Sequence, residues 1–280
     1  MSEEQKSGVI NFYDTHPINE DAILTKAAAQ GASMHALTQA DLKDFDQDHY
    51  GGTEILDALA DASGIGSQHY VLDVCSGMGG PARWLAHKRQ CRVTGLDFTS
   101  SRVEGAKRLT ERVKLQHLVN FVHGDATAMP LPNSRYDFVI SQEAWLHIPD
   151  KSALISECVR VLKPGGIVAF TDIVINSALG FAAEQRLAAE MHAVNILAPN
   201  VYAALFEENG CLVIRQDDLS AQWKNILNER LEMYRSLRDT TVAKFGESRF
   251  VEYDDAYSHY VNCFTENKLG GVRIVARKAE

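Results

Sequence analysis

Three aspartates and a glycine turn are the residues best suited to chemistry in this chain. The stretch "VLDVCSGMGGPARWLA" (residues 71–86) sets Asp73 inside an apolar run, Gly77 and Gly79 in a turn, and a helix-forming segment directly after them. Such a turn lets the backbone approach a nucleotide-like ligand closely. "GMGGPA" fits the dinucleotide pattern G-x-G-x-x-A, and Asp97, closing "VTGLD", stands where a ribose-binding acid belongs for a dinucleotide or for S-adenosylmethionine alike. Asp73 separates the two ligands. An acid beside the turn repels a pyrophosphate and attracts the sulfonium and ammonium groups of S-adenosylmethionine. "HGDATAMPL" then supplies Asp125, placed to accept a hydrogen bond from an exocyclic amine.

These residues need a scaffold, and the flanking pattern describes one. Short apolar, branched runs at 69–74, 92–97, 119–123, 136–141 and 167–174 alternate with helix-like segments at 80–88, 100–115 and 151–162. Strand alternating with helix predicts a parallel sheet covered on both faces, and near-continuous apolar strands fit that burial. Residues 1–52 form a separate zone. A helix ends at Gly31, Thr38 offers an N-cap for a second short helix, and the loop "DQDHYGG" precedes a helix through "TEILDALADASG". After residue 174 the rhythm changes to two helices broken at Pro199–Asn200, the strand "CLVIRQDDL", a charged helical region over 220–245 and the closing strand "GGVRIVARK".

The 280 residues are 45% hydrophobic and 23% charged, with a net charge of −9, which suits a soluble chain with a sizeable core. The acidic balance argues against a nucleic-acid partner, because phosphate neutralisation needs a dense basic face. Five scattered cysteines without a CxxC pair fit a reducing cytoplasm and argue against a zinc site, so no metal is expected. No apolar run reaches the length of a signal peptide or a membrane span.

Asp73 with Gly77 and Gly79, Asp97, "GDA" and "LKPGG", in this order, resemble the class I S-adenosylmethionine-dependent methyltransferases over roughly residues 55–172. The resemblance implies an α/β, doubly wound, Rossmann-like seven-stranded sheet with its last strand antiparallel. An N-terminal helical lid (residues 1–52) and a helical insert at about 176–209 would complete a domain spanning 53–280. It implies S-adenosylmethionine as cofactor. Asp73 and the Gly77–Gly79 turn would hold the methionine part, Asp97 the ribose, and Asp125 with the Ala126 amide the adenine. Phe98 would lie on the adenine face, and Gln142 would join the cofactor site.

The acceptor meets the methyl group after the fourth strand, in "SQEAWLHIPDK". The chain lacks the Asn/Asp-Pro-Pro-aromatic tetrapeptide and the Pro-Cys nucleophile of enzymes that methylate nucleic acid bases. The segment instead resembles the small-molecule branch, above all the sarcosine/dimethylglycine N-methyltransferases. The expected acceptor is the nitrogen of an amine or amino acid; the alternative is a carbon or oxygen of a quinone-like or polyketide molecule. His147 is the candidate base for that alternative and otherwise packs under the sheet edge. Glu143 either pairs with a cationic amine or caps a turn, and Trp145 is either core or a cation–π partner. Tyr50, with His49, belongs to a loop placed to close over the cofactor or to pack on the first helix. His192, Asn195 and Tyr202 of the insert are acceptor-pocket candidates, and Arg186, Arg215 or Arg235 would suit a substrate carboxylate. A nicotinamide-dependent oxidoreductase and a non-catalytic cofactor-binding subunit are the rival readings.

Overall fold

The apolar runs form one seven-stranded sheet in the computed structural model, which describes residues 3–14 and 16–280. The strands are β1 (Tyr70–Val74), β2 (Arg92–Asp97), β3 (Val119–His123), β4 (Tyr136–Gln142), β5 (Leu162–Ile175), β6 (Cys211–Asp218) and β7 (Leu269–Lys278). Their spatial order is β3-β2-β1-β4-β5-β7-β6. β7 is antiparallel to both β5 and β6, and the other pairings are parallel, as expected for the last strand. β5 starts earlier than the sequence suggests. Leu162 already pairs with Tyr136, so the "KPGG" segment is an irregularity inside the strand rather than a link before it. Pro164 explains the helix stop at Val161, since the residue before a proline is driven out of the α region.

The helices are α1 (Glu3–Asp14), α2 (Glu20–Ala29), α3 (Gln39–Leu42), α4 (Gly52–Ser63), α5 (Gly80–Arg89), α6 (Ser100–Arg112), α7 (Lys151–Val161), α8 (Phe181–Met191), α9 (Pro199–Glu208), α10 (Ser220–Ser236), α11 (Arg238–Phe245) and α12 (Glu247–Thr265). Neighbouring residues of β1 feed opposite cores. Val71 packs with Leu56, Leu85 and Val103 on one face, while Leu72 and Val74 pack with Leu154, Cys158 and Phe206 on the other. Ile23, Ala27 and Leu42 of α2 and α3 are buried in the first of these clusters. Thr38 caps α3 through a capping box with Asp41. A third cluster joins α8, α10 and α12 around Trp223 and Tyr260. Two helices were not visible in the sequence pattern: α1, and the nineteen-residue α12 that packs along α10.

The loop before α4 is anchored to the sheet by a buried ion pair. Asp46 and Arg83 of α5 have no exposed side-chain surface and meet at 2.8 Å, with Gln39 bonded to both. Arg83 also donates to the Met78 carbonyl. The Asp46 carbonyl lies so near α5 that a Cβ on Gly80 would sit 2.0 Å from it, which accounts for glycine there. Replacing Arg83 with leucine leaves Asp46 buried and uncompensated. Urea denaturation of Arg83→Leu is expected to show a loss of about 3–5 kcal/mol; a loss within experimental error would mean the pair does not anchor the loop.

Candidate active site

The sheet order reverses between β1 and β4, and a cavity opens at the carboxyl ends of these strands, the place where open α/β sheets hold ligands. Asp73 and Cys75 come from the end of β1, Leu96 and Asp97 from β2, Gln142 and Glu143 from β4, and Ile173 from β5. The glycine turn is held from below. Asp97 accepts hydrogen bonds from the amides of Gly77 and Thr99, both at 2.8 Å, and the Ser76 amide donates to the Leu96 carbonyl. One carboxylate thereby sets both the turn and the start of α6.

Of the residues expected to bind cofactor, Asp73, Gly77, Asp97, Phe98, Asp125, Ala126 and Gln142 all line this cavity. Gly79 does not. It faces the interior at φ +76°, where a Cβ would lie 2.4 Å from the Phe121 ring, so its role is packing and the N-cap of α5. Four cavity-lining side chains carry buried polar atoms without a hydrogen-bond partner: Asp73 Oδ2, Ser76 Oγ, Arg102 Nε and both ends of the Gln142 amide. Buried polar groups are rarely left unpaired, so this set asks for a polar ligand. Burial raises the Asp73 carboxyl to about 8, and the nearby Asp97 charge adds to the rise. A cationic group at Oδ2 relieves that cost. Asp125 spends Oδ1 on the amide and hydroxyl of Thr127, at 2.8 and 2.7 Å, which fixes the carboxylate beside Ala126. An acid with a free buried oxygen, two further acids and a free amide suit the sulfonium, ammonium, ribose and adenine of S-adenosylmethionine.

The loop carrying Tyr50 closes one side. Glu143, a non-glycine residue at φ +45°, accepts from the Thr171 hydroxyl with one oxygen and from the Tyr50 amide with the other, at 2.6 and 2.5 Å. Burial lifts its carboxyl to about 8. Tyr50 shares a 2.9 Å hydrogen bond with the Tyr260 hydroxyl and lies edge-on to Trp223. Arg230 stacks over the Tyr50 ring and donates to the His49 carbonyl. Burial raises the Tyr50 hydroxyl well above its ordinary value, so this side chain acts as a neutral wall of the cavity. His49 lines the cavity, donates to Gln47 Oε1 and is lowered to about 4 by burial.

His147 lines the opposite side, and its tautomer follows from its partners. Nδ1 faces the His192 carbonyl at 3.0 Å and must carry the proton, so Nε2 accepts from the Tyr13 hydroxyl at 3.0 Å. Burial lowers this imidazole to about 4. Tyr13 belongs to α1, whose Val9, Phe12 and Tyr13, with His16 beyond it, line the cavity. Their i, i+3, i+4, i+7 spacing was the available signal for this helix. Arg102 of α6 holds the segment down by donating to the carbonyls of Tyr13 and Ile18.

Three acceptor-pocket expectations are corrected. Trp145 is buried core, stacked on Phe170 with ring centroids 4.1 Å apart. Tyr202 is fully buried and donates to Asp172 at 2.6 Å. His192 caps α8 in a left-handed turn and reaches the site through its carbonyl, while its ring lies against Phe12. The insert contributes Met191 to the cavity wall. Asn195 is spent on the Pro149 carbonyl, and Arg186, Arg215 and Arg235 pair with Glu190 and Asp255, with Asp217, and with Asp254.

Residues 72–170 match the family model described as a methyltransferase domain. The sarcosine/dimethylglycine N-methyltransferase of Halorhodospira halochloris is 30% identical over 158 residues, which are 56% of this chain and 57% of that relative's length. The 27-O-demethylrifamycin SV methyltransferase of Amycolatopsis mediterranei is 26% identical over 231 residues, 81% of this chain and 84% of the relative. In fold, the chain superposes with a TM-score of 0.78 on a phosphoethanolamine N-methyltransferase from Haemonchus contortus. That match is 19% identical and covers 97% of this chain and 60% of the other. The expected resemblance to S-adenosylmethionine-dependent methyltransferases holds in sequence, with the sarcosine/dimethylglycine type among the relatives, and the solved structures share the fold.

The Glu143 contact carries a local expectation. Removing it in Glu143→Ala leaves the buried Tyr50 amide without its acceptor, at a cost of about 1–3 kcal/mol. Hydrogen exchange at Tyr50 should then accelerate by about one to two orders of magnitude; unchanged protection would show that the loop is held elsewhere.

Proposed function

We propose that this chain, whose residues 72–170 match a methyltransferase domain, transfers a methyl group from S-adenosylmethionine to the nitrogen of a small-molecule amine. The observation that carries the reading is the partnerless Asp73 Oδ2 in a cavity at the β1/β4 switch point, beside the Asp97-held glycine turn. Asp73 and Gly77 would take the methionine part, Asp97 the ribose, and Asp125 with Ala126 and Phe98 the adenine. S-adenosylmethionine supplies a methyl group on a positively charged sulfur, and transfer moves that charge to the acceptor. Residues 1–52 act as the cap, 53–280 as the catalytic domain, and the insert at about 176–209 as support for His147. The acidic chain and its free cysteines suit a cytoplasmic enzyme without a nucleic-acid partner. Among the described residues, no helix is long and apolar enough to cross a membrane.

The chain's own groups favour nitrogen. A neutral amine needs orientation more than a base, and an imidazole held near 4 is a weak proton acceptor. His147 and Tyr13 then act as a hydrogen-bonded wall that positions the acceptor, while Tyr50 and Phe12 exclude water. The second reading, methylation of carbon or oxygen, rests on the same pair, because a hydroxyl on Nε2 marks a route for a departing proton. The rifamycin enzyme named above acts on oxygen by its name.

Two outcomes check this reading. Below about 8 the Asp73 carboxyl of the free protein holds its proton, which a bound cation must displace. Affinity for S-adenosylmethionine should therefore rise with pH toward 8, by up to about tenfold per pH unit, and level off above it. Asp73→Asn should bind more weakly and lose that slope, and calorimetry showing the same slope in the variant would remove Asp73 from the site. For an amine acceptor, His147→Ala and Tyr13→Phe should each lower kcat by less than about a hundredfold, with cofactor Kd unchanged. A larger fall, about 10² to 10⁴, would favour the carbon or oxygen reading.

A further inference from the structure

We infer that Arg102 is a cofactor contact as well as the fastening of α1: its Nε hydrogen goes to a ribose hydroxyl held by Asp97, so that cofactor binding and the seating of α1 reinforce each other. The inference rests on the methyltransferase reading and deepens it at the ribose end of the same site.

Arg102 stands in the first turn of α6, and that turn starts on Asp97. The Thr99 amide donates to Asp97 at 2.8 Å, and the Arg102 amide donates to the Thr99 carbonyl at 3.0 Å. From this floor the side chain runs up the cavity wall to the cap. It lines the cavity, the residue is 3% exposed, and its Cζ lies 5.4 Å from the centre of the Tyr13 ring. Both terminal nitrogens donate to backbone carbonyls of the cap, those of Tyr13 and Ile18. Burial pulls the guanidinium's pKa down, and the charges of Asp48 and Asp97 oppose that pull. Nε is placed differently. It joins the aliphatic stem to the guanidinium, on the floor side of the group, and it is buried without a partner. A guanidinium keeps its protons and offers donors only. A buried donor of this kind calls for an acceptor.

Asp97 supplies the other half of a hydroxyl site. Its two oxygens accept one amide hydrogen each, from Thr99 and from Gly77. A carboxylate has about four lone-pair sites, so each oxygen keeps room for a hydroxyl hydrogen. A hydroxyl that donates to Asp97 has its own lone pairs left to accept, and a charged donor on such an oxygen makes a strong hydrogen bond. Among the cofactor's acceptor atoms, the ribose oxygens are the ones that Asp97 draws to this end of the cavity.

One guanidinium thus serves the ligand with its inner nitrogen and the cap with its outer pair. Tyr13, whose carbonyl Arg102 holds, gives its hydroxyl hydrogen to His147. The strut therefore also sets the wall that faces the acceptor. A ligand that firms the strut must itself be held more tightly when α1 is seated, because coupling between two sites is reciprocal.

The first test uses the unmodified protein. Hydrogen exchange of the amides of residues 9–18 is compared for the free protein and for protein saturated with S-adenosylhomocysteine or with its 2′-deoxy or 3′-deoxy counterpart. S-adenosylhomocysteine is expected to slow these amides by at least about fivefold, and one of the deoxy compounds to lose most of that protection. The second test is a calorimetric cycle with Arg102→Met. Loss of that same hydroxyl should weaken binding to the unmodified protein at least about fivefold more than to the variant. The comparison among ligands needs no variant, so it decides even if Arg102→Met does not fold. Equal protection by all three compounds, or an additive cycle, overturns the inference while leaving the cofactor site standing. If S-adenosylhomocysteine itself does not bind, the methyltransferase reading falls first and the inference with it.

Discussion

The carboxylate of Asp97 takes the amide hydrogens of Gly77 and Thr99, and the rest of the site depends on that bridge. It fixes the turn between β1 and α5 and the beginning of α6 with one side chain. It also brings a second carboxylate near Asp73 in a region shut off from water. Burial disfavours ionisation of Asp73, and the neighbouring Asp97 charge adds to that, so Asp73 is left protonated near neutrality and without a partner at Oδ2. A site built this way holds electrostatic strain that a cation relieves, which links the local geometry of two strand ends to the choice of ligand.

Above this floor the cavity is closed by segments that are each tied to the sheet by a different interaction. The Asp46–Arg83 pair seats the loop on α5, and Glu143 holds the backbone of Tyr50. Arg102 fastens the end of α1, and His147 receives its tyrosine. Several of these ties are polar groups buried with their partners, which are costly to break singly. The arrangement keeps the aromatic wall in place while leaving the polar floor free for a ligand.

The sheet and the cofactor side of the site were legible in the sequence because they rest on local patterns. Branched apolar runs mark the strands, and Asp73, Asp97 and Asp125 each follow or end one of them. The acceptor side was not legible in the same way. Trp145 and Tyr202 stand in the right part of the chain, yet Trp145 stacks on Phe170 and Tyr202 bonds Asp172 in the core. Sequence position cannot tell a wall from the packing behind it. Tyr13 was missed because its partner His147 lies 134 residues away, and only the fold brings them together. Arg102 reads in sequence as an ordinary helix cation, whereas in the structure it is 3% exposed and holds backbone carbonyls.

The most direct test is to incubate the protein with S-adenosylmethionine bearing a deuterated methyl group and a panel of small-molecule amines, then analyse the acceptors by mass spectrometry. An intact CD3 group on nitrogen, formed in step with S-adenosylhomocysteine, is the expected result. Tight binding of S-adenosylmethionine with the label appearing only on carbon or oxygen acceptors would contradict the nitrogen assignment. Absence of any binding would contradict the assignment of the Asp73–Asp97 floor as a cofactor site.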